Sequence, residues 1–253
     1  MSLLNKCIAI VGAVALTVLP AVAQDEKSMS MISVMQLDPS KAKQFDDAWG
    51  NIREIAMENG YPYAELAGGW RNERWILTPI KNYAEVDAVF AAREAVSDAG
   101  GKKYKKAIAN FVGAMVDSIT FFTVGDPELS YTPDGAPQGN FMEIDTFRFR
   151  YGAEDEMKSI LVDYKALMEG KAVPYGYQVS WDGIGSQGNS VTIVTYAQNA
   201  VAMAEANAAI EAMLDGDDEA DAIFERYTNI ATGSETIHSL FDPDASMNMP
   251  TGE

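Results

Sequence analysis

The chain has 253 residues, with 19 lysines and arginines against 37 aspartates and glutamates, one histidine and one cysteine. A formal net charge of −18 makes nucleic acid and anionic membranes poor partners, because both are held by lysine and arginine neutralising phosphate charge. One cysteine excludes a disulfide, and one histidine beside it excludes the multi-ligand zinc sites.

The first 23 residues stand apart from the fold. "MSLLNK" carries one positive charge, "CIAIVGAVALTVL" is apolar, Pro20 breaks the run, and "AVA" precedes Gln24. A charged n-region, an apolar stretch too short to span a bilayer stably and a small-x-small site describe a signal peptide over 1–23. The expected mature chain therefore starts near Gln24, is periplasmic or secreted, and carries no lipid anchor, since no cysteine follows the cleavage site. Cys7 leaves with the signal, and so does Lys6, which takes the charge from −18 to −19. Solubility accounts for that acidity. No later segment is long and apolar enough to cross a membrane, and the remaining ~230 residues suffice for a core without disulfides.

Along the mature chain the spacing predicts a strand at "MSMISVMQL", then Asp38, Pro39 and Ser40 as turn and helix-start chemistry. A helix follows to about Asn59, where Asn-Gly ends it. Strands near Tyr63–Trp70 and Arg74–Pro79 form a hairpin. Helices are expected over Asn82–Val96 and Lys102–Val116, separated by "SDAGG", and a strand over Ser118–Val124. "DPELSYTPDGAPQGN" reads as a linker. Beyond it come a strand at Asn140–Arg150, a helix at Ala153–Glu169, strands at Tyr175–Trp181 and Asn189–Tyr196, helices at Asn199–Leu214 and Asp218–Ala231, and a strand at Ser234–Phe241.

The second series repeats the first. Phe45, Ala48, Trp49, Ile52, Ile55 and Ala56 form one helical stripe, and Met157, Ile160, Leu161, Tyr164, Leu167 and Met168 another, each member 112 positions after its partner (157 − 45 = 112). Pro62 and Pro174 keep the same interval. "RWILTPIKN" matches "VTIVTYAQN", and both halves close on Asp-Pro, at Asp126-Pro127 and Asp242-Pro243. The chain thus reads as an α+β duplication: a first repeat over 24–130, a linker over 131–139 and a second repeat over 140–253. Each repeat has the β-α-β-β-α-β order of a ferredoxin-like unit.

Two such units in tandem, each with a long first helix and an extra helix before the last strand, resemble the dimeric α+β barrel superfamily. The resemblance implies two four-stranded sheets facing each other to form an α+β barrel, with a cavity between sheet and helices. It also implies a mixed set of activities: cofactor-independent monooxygenases, small isomerases, haem-binding enzymes and members without known activity. The haem enzymes of that superfamily use an axial histidine on a helix of the second half. No helix expected in the second half here contains one, so no cofactor and no metal is expected.

Few residues suggest chemistry. His238 is a candidate catalytic base, or a packing residue, since the alignment sets it on Phe122. A serine triad lacks its G-x-S-x-G elbow. The acidic run from Asp215 fails as an EF-hand loop, with Ala220 and Arg226 at the sixth and twelfth positions, and acids at a helix start answer to the macrodipole. "GGW" at Gly68 and "GIGSQGN" at Gly183 lie in hairpins and read as turns. Tyr63, Trp70, Tyr175 and Trp181 pair apolar bodies with polar tips, which suits a cavity for an aromatic molecule as well as it suits a core. Alternation along "TFRFRY" sets Arg148 and Arg150 opposite Phe147, Phe149 and Tyr151, as a carboxylate clamp or as partners for acids across the sheet. Arg71 and Arg74 invite the same two readings. The expected function is binding of a small apolar or aromatic molecule in a barrel cavity, with Tyr63, Trp70, Arg148, Tyr175 and Trp181 as contacts. The alternatives are a cofactor-independent monooxygenase or isomerase using His238 or a buried tyrosine as base, or an oligomer-forming assembly protein without ligand.

Overall fold

A computed structural model describes residues 28–249 apart from Gln138 and Gln187. The signal peptide expected over 1–23, and Cys7 within it, lie outside the described residues. The chain forms two compact units, one of residues 28–123 with the segment from Leu240 on, the other of residues 124–239.

The first unit opens with β1 (Met29–Leu37). Asp38 then accepts from the Ser40 backbone N–H and starts a short 3₁₀ turn. α1 (Ala42–Glu58) buries Phe45, Ala48, Trp49, Ile52, Ile55 and Ala56, the stripe expected from the spacing. β2 (Glu65–Trp70) and β3 (Glu73–Ile80) pair antiparallel, with Gly68 opposite Trp75. The glycines of "GGW" are strand residues, contrary to the turn reading, and the turn is Arg71-Asn72, where Arg71 sits at φ 54. A Cβ at Gly68 would lie 2.3 Å from the Trp75 ring, so the missing side chain makes room for that ring. α2 (Val86–Val112) is two helical segments joined at a non-helical Gly101 (φ 52, ψ −128), the break expected there; the first segment runs through "SDAG" instead of ending at Val96, and only glycine takes the Gly101 conformation cheaply. Phe111 on α2 stacks on Phe45 of α1 at 4.4 Å.

β4 (Met115–Gly125) leads into the second unit: β5 (Phe141–Phe149), α3 (Glu154–Gly170), β6 (Gln178–Asp182), β7 (Ser190–Ala197), α4 (Ala200–Leu214), α5 (Asp218–Ile230) and β8 (Ala231–Met247). Asn199 and Asp217 cap α4 and α5. Lys171, hydrogen-bonded to Asp217, holds its carboxyl below the usual range. β6 starts three residues later than expected, at Gln178; the chain before it is pinned by a bridge between Tyr131 and Tyr177. The fold is α+β, and its eight strands have a closed hydrogen-bonded order, β1-β3-β2-β8-β5-β7-β6-β4. Within that order the first unit holds β4-β1-β3-β2-β8 and the second β8-β5-β7-β6-β4. No helix among the described residues is long and apolar enough to cross a membrane.

A cavity and a row of buried acids in the second unit

Alternation along β5 puts Phe141, Glu143, Asp145, Phe147 and Phe149 on one face, and all five are buried. Two carboxyl groups at i and i+2 among phenylalanines are an unusual content for a core face, because a buried acid needs a partner or a proton.

Glu143 is 3 % exposed. Its Oε1 accepts from Asn207 Nδ2 on α4 at 3.1 Å, and its Oε2 lies 3.0 Å from His238 Nε2 on β8. The His238 side chain is 44 % exposed, and its ring lies against Phe141 at 5.4 Å. The histidine thus joins the surface to a buried acid. Asp145, also 3 % exposed, accepts from the Thr236 hydroxyl, while its Oδ2 has no partner. Burial, assisted by the charge of Glu143 and opposed by the Thr236 hydrogen bond, pushes the Asp145 carboxyl up to about 7.

Beyond Asp145 the same face borders a cavity of about 70 Å³. Phe147 and Ile193 of the sheet, Leu161 and Tyr164 of α3, and Ile223 and Tyr227 of α5 are among its walls. The Tyr164 hydroxyl is buried and has no partner, and neither has that of Tyr177, whose ring lies 5.5 Å from it. Burial first, and then the charge of Asp145, raises the Tyr164 hydroxyl far above its ordinary range. The unit therefore offers an apolar cavity, a hydroxyl at its wall, and a carboxyl able to gain or lose a proton near neutrality.

The sequence-derived candidates are dispersed. Tyr63 and Trp70 belong to the first unit. Tyr63 stands edge-on to Tyr61, and Trp70 ends β2 with 37 % exposure. Arg148, Tyr175, Trp181 and His238 belong to the second. Arg148 pairs with Glu235 at 2.8 Å, the cross-sheet alternative to a clamp. Trp181 donates to Asp126 Oδ2 at 3.1 Å, and Tyr175 packs on the core. In the first unit Arg74 forms a forked pair with Asp46. His238 does not pack as Phe122 does: Phe122 lies against Met31, Ile80 and Val89, and His238 reaches Glu143. The residues missed were Glu143, Asp145, Asn207 and Tyr164. The parity that put Phe147 and Phe149 on the core face already placed both acids there.

The first unit has its own buried acid, Glu65, 2 % exposed. It accepts from the Tyr61 hydroxyl at 2.6 Å and from Arg93 Nη2 at 2.7 Å, and Arg93 also donates to Thr78.

No family model and no curated protein sequence matches the chain. Solved structures do share its fold. An anthrone oxidase-like protein superposes with a TM-score of 0.58 at 12% identity, covering 87% of this chain and 94% of its own. A candidate monooxygenase from Lactobacillus acidophilus gives 0.51 at 6% identity, covering 85% and 94%. Another from Fusobacterium nucleatum gives 0.50 at 8% identity, covering 86% and 93%. The chain thus shares the α+β fold of these proteins. At such identities the likeness concerns the fold and leaves the reaction to the site.

Proposed function

We propose that this is an exported protein of two tandem ferredoxin-like repeats that face each other as an α+β barrel, and that its second unit holds a small, mainly apolar or aromatic molecule. The parallel strand orders β4-β1-β3-β2 and β8-β5-β7-β6 support the duplication, and the charged, apolar and small segments of the first 23 residues support export. The ligand reading is carried by the cavity of about 70 Å³ under α3 and α5. An unfilled apolar cavity costs stability, and about 150 Å³ holds a benzene ring. The space, walled on one side by the half-buried Phe224, admits a few heavy atoms of a guest. Arg148, Tyr175 and Trp181 are the sequence-derived candidates that share this unit.

Native mass spectrometry of the protein taken from its own compartment tests the reading. The expected result is extra mass that is lost on denaturation and is absent from Ile223→Trp, whose indole fills the cavity. A clean polypeptide mass in a defined oligomer would instead favour assembly without a ligand.

A second reading, cofactor-independent oxygenation or isomerisation, is favoured by the 3.0 Å contact between His238 and Glu143, since a histidine oriented by an acid is suited to proton abstraction. Given the released molecule, the wild type should consume dioxygen or exchange a carbon-bound proton for deuterium, and His238→Gln should do neither. Neither activity in the wild type would eliminate it.

A further inference from the structure

Both units place a residue of their opening strand against a residue of their closing strand, and the two pairs differ in kind. The third residue of β1 is Met31 and the third of β5 is Glu143. The eighth residue of β4 is Phe122 and the eighth of β8 is His238. In the first unit Met31 and Phe122 belong to an apolar cluster with Ile80 and Val89. In the second, Phe141, Ala197 and Met203 make an equivalent cluster, but beside it stand Glu143 and His238. Packing alone is satisfied by methionine and phenylalanine at this place. The acid and the histidine are therefore not demanded by the fold, and burying an acid costs stability unless it is compensated.

We propose that the helix-facing row of β5 is a proton-exchange site, in which Asp145 Oδ2 takes a proton from, or gives one to, an O–H or N–H group of a small molecule beside Tyr164, while the Glu143–His238 pair sets its readiness from the surface. In the uptake direction the guest's O–H or N–H bond breaks, its electron pair stays on the guest, and the proton ends on Asp145 Oδ2. Oδ2 is buried and unpartnered, and so is the hydroxyl of Tyr164 on α3, a cavity wall that the Asp145 charge reaches. The surroundings contain little else that titrates. β5 contributes Glu143, α3 Tyr164 and β8 Thr236 with His238; β7 sets the apolar Ile193 across from Asp145, and α5 brings Tyr227 onto the neighbouring Phe147. Among the described residues no lysine or arginine pairs with Asp145, so its charge is governed first by burial, then by the Thr236 hydrogen bond and by its acidic neighbour. Glu143 disfavours the Asp145 anion, and the half-exposed His238 lies 3.0 Å from Glu143 Oε2, so the surface histidine acts on Asp145 through it.

The proposal deepens the cavity reading, since its guest is the molecule proposed there, yet its test needs no guest. Carboxyl-carbon NMR of protein labelled at aspartate would follow Asp145 across pH, with Asp145→Asn identifying the signal. The wild type is expected to titrate near 7. In Glu143→Gln the proton affinity should fall, by less than burial alone raises it, since the Glu143 charge is the smallest of the causes, and in His238→Phe it should rise. The paired change Glu143→Met with His238→Phe, which installs the first unit's pair, should also lower it, even should Glu143→Gln fold poorly. A wild-type midpoint in the ordinary carboxylate range, or a midpoint unmoved in both Glu143 variants, would overturn the proposal. A clean mass in the native experiment would remove the guest and overturn the exchange step even where the titration is as expected, whereas a guest with an unmoved titration would overturn this proposal and spare the cavity reading.

Discussion

The two units treat a buried carboxyl group in opposite ways. In the first, Glu65 on β2 has a cation: Arg93 reaches it at 2.7 Å, and the Tyr61 hydroxyl donates at 2.6 Å. In the second, Glu143 relies on Asn207 and His238, and Asp145 on the Thr236 hydroxyl alone. The arginine cluster satisfies its acid and links β2, β3 and α2, which is the pattern of a structural ion pair. The acids of β5 leave Asp145 Oδ2 and Asn207 Oδ1 without partners, the pattern expected where a group must stay ready to bind or to change its protonation. The same kind of sheet carries both, so the sheet itself does not impose the difference.

Removing the cation should have the largest effect. Arg93→Met leaves Glu65 buried and unpaired and should cost about 3–5 kcal/mol in denaturant unfolding, with most of the loss regained when Glu65→Gln is added. A cost under about 1 kcal/mol would mean that the first unit's cluster is no more structural than the second's. One substitution made in both units sharpens the contrast. Tyr61→Phe removes a hydrogen bond to a buried carboxylate and should cost about 1.5–3 kcal/mol, whereas Tyr164→Phe removes an unpartnered hydroxyl and should cost nothing or stabilise the protein. Equal losses at both positions would show that Tyr164 has a structural partner. The smallest change is expected at Arg148, whose pair with Glu235 is partly exposed. Arg148→Ala should alter unfolding by less than about 1 kcal/mol, and a larger loss would place it with Arg93.

Much of the fold was legible. The stripe of α1 and its counterpart on α3 follow from a 3.6-residue period, and the caps at Asn199 and Asp217 from residue type. Less legible was anything decided by a neighbour remote in sequence. Gly68 and Gly69 looked like a turn because the Trp75 ring that requires Gly68 lies on the next strand. The helical path through "SDAG" depends on packing against α1, where a Cβ at Gly100 would meet Ile55 at 2.7 Å. At the site, alternation placed Glu143 and Asp145 on the core face of β5, but the arginines on the opposite face drew attention first. Tyr164 read as plain core, which its ring is; only the surroundings of its hydroxyl, set by β5 and α3 together, mark it as unpartnered.

The contrast between the units comes down to whether Asp145 is held as a neutral acid or compensated as Glu65 is, and the pH dependence of stability in wild type and Asp145→Asn decides it. With its carboxyl raised to about 7, the folded protein keeps a proton that the unfolded chain gives up near 4. The Asp145 contribution is therefore fully present below about pH 4, is lost as pH rises from there to about 7, and is level above, amounting to at most about 4 kcal/mol for a shift of about three units. The account predicts that this decline is present in the wild type and absent from Asp145→Asn, which should be the more stable of the two at pH 8. Parallel curves for the two proteins would contradict it.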